Sequence, residues 1–256
     1  MLFLAIHNGH NVSEWVKGKI SISDSERLRE EDPYTCQLVE DKDNYIVQLT
    51  SRFEYDLNRA MDKAVYQVPS DCWNLPIYRN SLLTQEEVNI ALSKYDKFYK
   101  DLDVIIDSFL LKYDRIIVWD IHSYNHRRMG ANAEFDDNEQ NPEIILGINN
   151  YIQMSQSWKP LIDFIQDSLQ TQSFQGCFPN RSLSSDYLDV RQNIKFPGGN
   201  LSKYINSKYS NKVCCIAIEF KKIWMNEWTH EIDETCFSKL KEIFNHTCSE
   251  VLKRGI

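Results

Sequence analysis

Apolar residues fall along this chain in two rhythms. Leu2–Ile6, Ile116–Trp119 and Val213–Ile218 are short unbroken runs that read as buried strands, and Asn44–Leu49 reads as a further strand that Phe53–Leu57 extends. Between these runs the spacing becomes helical. Thr84-Gln85-Glu86-Glu87 is a capping box, and apolar residues then recur at Val88, Ala91, Leu92, Tyr95 and Phe98, up to about Leu111. Trp158–Leu169 is a second amphipathic helix, with Pro160 tolerated in its first turn, and Thr235–Arg254 is a third. Strands alternating with helices predict an α/β fold, with a mostly parallel sheet covered on both faces. Met129–Pro142 and Gln170–Asp186 are polar loops, either of which could border or cover a ligand crevice. Neither resembles a linker, so residues 1–256 read as one domain.

Composition narrows the class. Hydrophobic residues make up 42%, ample for a sizeable core. A net charge of -8 and a pI of about 5.3 argue against a nucleic-acid binder. No stretch approaches the ~20 apolar residues of a membrane span. Met1–Ile6 is too short for the apolar part of a secretory signal. The seven cysteines include no CxxC pair, and Cys214-Cys215 sit together in an apolar run, which reads as reduced thiols of a cytoplasmic protein.

The chemistry sits where the strands end. The first run leads into His7-Asn8-Gly9-His10, the second into Asp120-Ile121-His122-Ser123, and the third into Glu219. In an open α/β sheet the carboxyl ends of neighbouring strands meet at one crevice. Two histidine-bearing strand ends and a carboxylate are what a hydrolytic zinc site needs. Gly9 frees the turn that could bring His7 and His10 to one ion; the competing reading is two surface histidines. Period-2 geometry sets Asp120 beside His122, where it can orient the ring. His126, Arg127 and Arg128 follow as a cationic cluster whose arginines either serve a ligand or pair with Asp136, Asp137 and Glu139. The alternation in 51–59 would put Arg52, Glu54, Asp56 and Asn58 on one face, and Asn58 with Arg59 can grip a carboxylate. Desolvation at the end of an apolar strand would raise the pKa of Glu219 toward that of a general base, unless a neighbouring lysine pairs with it. Trp224–Thr229 reads as pocket wall. The glycines of Phe196-Pro197-Gly198-Gly199 either admit a close backbone approach or form a plain turn.

In this order the motifs resemble the N-formylglutamate amidohydrolase family, itself similar to the zinc carboxypeptidases and aspartoacylase. The pieces are His-Asn-Gly-His, Ser-Arg-Phe-Glu-Tyr-Asp-Leu-Asn-Arg, Asp-Ile-His-Ser, Phe-Pro-Gly-Gly and Ile-Glu-Phe-Lys-Lys. The resemblance implies a phosphorylase/hydrolase-like three-layer sandwich with one catalytic Zn2+ per chain, Mn2+ or Fe2+ being the alternatives. It puts His7 and His122 on the ligand histidines. The relatives' HxxE glutamate is replaced by His10, so either His10 binds the ion or Glu54 or Asp56 supplies the carboxylate. Asn58 and Arg59 fall on the pair that grips a substrate carboxylate, Arg52 lies near the oxyanion-stabilising arginine, and Glu219 falls on the general base. Arg127 and Arg128 are further candidates for substrate or oxyanion. The implied substrate is an N-formyl or N-acyl amino acid, or a small peptide, bearing a carboxylate. The rival is a non-catalytic protein that binds a ligand or partner on the same fold.

Overall fold

The three apolar runs lie side by side. Strands β1 (Leu2–Ala5), β3 (Ile116–Tyr124) and β6 (Val213–Lys221) are adjacent in a six-stranded sheet, joined by β2 (Tyr45–Val47), β4 (Ile144–Gly147) and β5 (Val190–Gln192) in the order β2-β1-β3-β6-β4-β5. All pairings are parallel except β4 with β6, so the sheet is mixed but mostly parallel. The computed structural model describes residues 1–79, 82–176, 181 and 185–255.

Helices cover both faces, as a parallel sheet buried on two sides requires. On one face α3 (Gln85–Leu110) and α5 (Asn200–Tyr209) bring Ala91, Leu102, Ile106, Leu201 and Ile205 onto Leu4, Val118 and Cys215. On the other, α4 (Lys159–Gln170) and α6 (Glu234–Lys253) pack Ile162, Ile165, Leu240 and Phe244 against Phe3, Trp119 and Ile216. The capping box opens α3 as expected: the Thr84 hydroxyl accepts the Glu87 N–H, and Glu87 accepts the Thr84 N–H at 2.6 Å. Two short helices, α1 (Glu14–Lys17) and α2 (Asp24–Glu30), fill the β1–β2 connection. None of the described helices is long and apolar enough to cross a membrane. The six described cysteines are free.

β3 runs nine residues, so Asp120 and His122 lie within the strand, as their period-2 spacing implied. One expectation changes. Residues 53–57 form turns instead of extending β2. The Ser51 hydroxyl accepts the Phe53 N–H at 3.2 Å and Asp56 accepts the Asn58 N–H at 2.8 Å, occupying donors that a strand would offer a neighbour. Arg52, Glu54, Asp56 and Asn58 therefore share no strand face. The Gln170–Asp186 segment falls partly outside the described residues, at 177–180 and 182–184, and takes in the end of α4.

Candidate active site

One face of the central strands turns from apolar to polar toward their carboxyl ends. On β3, Val118 gives way to Asp120 and His122; on β6, Cys215 gives way to Glu219. His122 and Glu219 are register partners across the parallel pair, so their side chains leave the same face side by side. His7, two residues beyond β1, puts its ring 4.9 Å from that of His122. Asp32 joins them from the loop after α2, where its N–H donates to the His7 carbonyl at 3.0 Å. Asp32 Oδ2 lies 3.5 Å from His7 Nδ1 and 3.1 Å from His122 Nδ1.

The outer nitrogen of each ring is taken by a second carboxylate. His7 Nε2 meets Asp56 Oδ1 at 2.7 Å, and His122 Nε2 meets Asp120 Oδ1 at 2.9 Å. A carboxylate behind an imidazole fixes its tautomer and raises its basicity, the usual support for a metal-bound histidine. Asp56 is itself held by Arg52 at 2.8 Å and by the Tyr66 hydroxyl. His7 Nδ1 is buried with no hydrogen-bond partner, a costly state for a polar atom inside a protein. Donor atoms of His7, Asp32 and His122 lie within 4.8 Å of one another, the one such group among the described residues. Two imidazoles, a carboxylate and an orphaned lone pair fit a single catalytic zinc with an open position.

Electrostatics sorts the acids into two kinds. Burial works against ionising Asp32, but His122 and His7 outweigh it and hold the group well below the usual carboxylate range. Asp56 behaves alike, with Arg52 and His7 overcoming burial. Glu219 goes the other way: burial, with Asp32 and Asp120 adding repulsion, overcomes the pull of His122 and pushes it up to about 7. A carboxyl titrating there beside ionised neighbours has the profile of a proton carrier.

These groups face a cleft of about 140 Å³, whose walls include Arg52, Asn58, Arg128 and Trp73. A larger hollow of about 500 Å³ opens at the opposite, amino ends of β1 and β3, away from the chemistry. His10 does not reach the cluster. Its Nδ1 meets Glu31, its Nε2 lies 3.1 Å from Arg27, and the side chain is 38% exposed. Gly9 serves a different purpose from the one expected: a Cβ there would sit 2.3 Å from the Leu49 carbonyl carbon, so the glycine lets the chain pass that segment and carries His10 away. Glu54 is also absent from the cluster, its carboxylate being taken by the Ser13 N–H at 2.6 Å and Lys94 at 2.6 Å. Asp56 touches His7 only from the outer side. Arg59 lies outside the cleft, 3.6 Å from Asp56 and over the Tyr66 ring. Arg127 turns onto Phe135, and its N–H donates to Glu227, so neither it nor the 129–142 loop lines the cleft. Glu227, in the segment expected to wall the pocket, caps the His126 and Arg127 amides instead. Gly199, at the start of α5, packs on the Asn58 carboxamide and so serves a close side-chain contact.

Asp32 escaped the sequence reading because it ends no strand. The signal was there in Glu30-Glu31-Asp32-Pro33, an acidic run stopped by proline, but only burial of all three acids distinguishes it from a solvated turn.

The sequence model of the N-formylglutamate amidohydrolase family matches residues 1–225. Comparison with curated protein sequences finds no match. Among solved structures, the N-formylglutamate amidohydrolase of Ralstonia eutropha JMP134 superposes with a TM-score of 0.75 at 17% identity, covering 100% of this chain and 94% of that one. A gene product of Agrobacterium tumefaciens gives 0.62 at 17% identity, covering 98% and 90%. At these identities the structural likeness speaks for the fold.

Proposed function

The chain belongs to the N-formylglutamate amidohydrolase family, and on that premise we propose that it hydrolyses the amide of an N-formyl or N-acyl amino acid, or of a small peptide-like substrate, with one zinc ion per chain. The strongest support is the buried, unpartnered Nδ1 of His7 facing Asp32 and His122. His7, Asp32 and His122 would hold the ion; the same donors accept Mn2+ or Fe2+. Zinc bound there would supply a Lewis acid that lowers the pKa of a bound water toward ~7 and polarises the scissile carbonyl.

The remaining steps fall to the protein's own groups. Glu219, on the same sheet face as His122 and titrating near neutrality, takes the proton of the attacking water and passes it to the leaving amine. Arg52 is oriented by Asp56 and turned to the cleft, where its remaining N–H groups serve the developing oxyanion, a role worth ~3 kcal/mol per donor in other enzymes. Asp56 and Asp120 keep the two imidazoles in the tautomer that leaves Nδ1 free. The six free thiols fit a reducing compartment such as the cytoplasm.

The test pairs elemental analysis with one substitution. Purified protein should carry about one zinc per chain, lost in a His7→Ala/His122→Ala double variant. Glu219→Gln should keep the zinc and lose at least ~10²-fold in turnover of N-formyl amino acids. An active Glu219→Gln protein would remove the base, and a chain that takes up no zinc when offered it would overturn the proposal.

A further inference from the structure

Two arginines reach the cleft with unequal freedom. A guanidinium carries five N–H donors. Arg52 has committed three, to Asp56 at 2.8 Å, to the Tyr66 hydroxyl at 3.3 Å and to the Glu30 carbonyl at 3.4 Å. Arg128 has committed two, both to the buried Glu30 carboxylate, at 3.3 and 3.0 Å. Its side chain is 36% exposed against 13% for Arg52. Lys222, the other cation in the cleft wall, has spent all three of its hydrogens on the Arg29 and Glu31 carbonyls and Asn125. Arg128 is thus the cation of the cleft best able to accept an anion.

Trp73 stands between the two guanidinia. Its ring centre is 4.9 Å from the Arg52 guanidinium and 5.6 Å from that of Arg128. Trp73 and the next residue, Asn74, both adopt positive φ, 48° and 61°. Bulky side chains avoid that region, and strain of this kind gathers where a ligand is held. The backbone accepts it here while setting an indole, 39% exposed, into the cleft wall. The pair expected to hold a carboxylate is split, with Asn58 in the cleft wall and Arg59 outside it. The Asn58 carboxamide accepts the Leu201 N–H at 3.1 Å and faces His122 at 3.4 Å.

We infer that Arg128, backed by Trp73, forms the subsite for the substrate's carboxylate and so determines specificity for N-acyl amino acids over their carboxamides. The inference rests on the hydrolase reading and names the residues that read its substrate. Glu30 fixes the plane of the Arg128 fork, the Trp73 ring supports it by cation–π contact, and the outward N–H groups grip the carboxylate of the amine fragment.

Steady-state kinetics of the zinc-loaded enzyme on N-formyl amino acids and on the same compounds with the carboxylate blocked as an amide tests this. Arg128→Gln should lower kcat/KM about 100-fold on the acids, mostly through KM, and change the amides less than about 3-fold. Trp73→Leu should raise KM for the acids about 10-fold, and Trp73→Phe, which keeps a ring face, should recover most of it. Equal losses on acids and amides would reduce both residues to structural support and overturn the inference. So would a charge-selective loss in Arg59→Gln in place of Arg128→Gln. If the parent enzyme hydrolyses none of these compounds, it is the hydrolase reading that has failed. Calorimetric titration of the zinc-loaded protein with glutarate then decides the subsite: binding at least ~10-fold weaker in Arg128→Gln supports it, and undiminished binding overturns it.

Discussion

Glu219 shows how one residue's chemistry is set by its neighbours. As the acid at the end of an apolar run it was visible in the sequence, and desolvation is the first cause of its raised pKa. Its folded value of about 7 exceeds the ordinary 4.5, so the folded protein holds this proton more tightly than the unfolded chain. Stability from this group is complete below pH 4.5 and is lost as pH rises through about 7. In the metal-free protein Glu219→Gln should therefore flatten that slope and, above pH 7, stabilise by about 1–2 kcal/mol, a value discounted for partial exposure. Urea melts of both proteins between pH 5 and 8 check this; parallel slopes would count against a raised Glu219. His126 has the opposite sign. Burial, with Lys221 adding repulsion, pushes it down to about 3 as its ring stacks on Phe135. Because the unfolded histidine takes up a proton first, stability should fall as pH drops below 6.5, by about 2 kcal/mol at pH 5. His126→Gln should remove most of that slope in acid melts.

Among the elements, β3 and β6 carry the site because their face switches from apolar to polar partway along. That switch was half legible. Asp120 and His122 stand at period-2 spacing in the sequence, but their partnership with Glu219 depends on register between strands 97 residues apart. The 51–59 segment misled because its alternation mimics a strand, while Ser51 and Asp56 bond the local backbone and hold it in turns. Helix α5 reaches the site through its amino end: the Leu201 N–H donates to Asn58 Oδ1, and a Cβ on Gly199 would lie 2.1 Å from the same oxygen. Gly199→Ala should force Asn58 off His122 and the Leu201 amide at a cost of about 1–3 kcal/mol. A urea midpoint equal to the parent's would show that Asn58 turns aside freely.

For the whole molecule, the coupling of the proposed metal site to the fold is the property to measure. His7, Asp32 and His122 come from three separate segments, and in the unfolded chain nothing holds them together. An ion that binds only the folded state stabilises it by about 4 kcal/mol at a thousand times its Kd. Chelation should lower Tm by about 8–16 °C, and zinc should restore it; a Tm indifferent to chelator would show that the three residues do not bind the ion in concert. The amino-acid sequence by itself determined the α/β class, three buried strands of the sheet, the capped helix α3, and the position of His7, His122 and Glu219 on or just past those strands, because hydropathy period and place along a strand are local properties. Only the tertiary structure decided that Asp32 completes the cluster, that Asp56 stands behind His7, and that His10, Glu54, Arg59 and Arg127 face elsewhere. Those outcomes depend on which loops cross the sheet ends and which way their side chains turn, and no spacing along one chain encodes that.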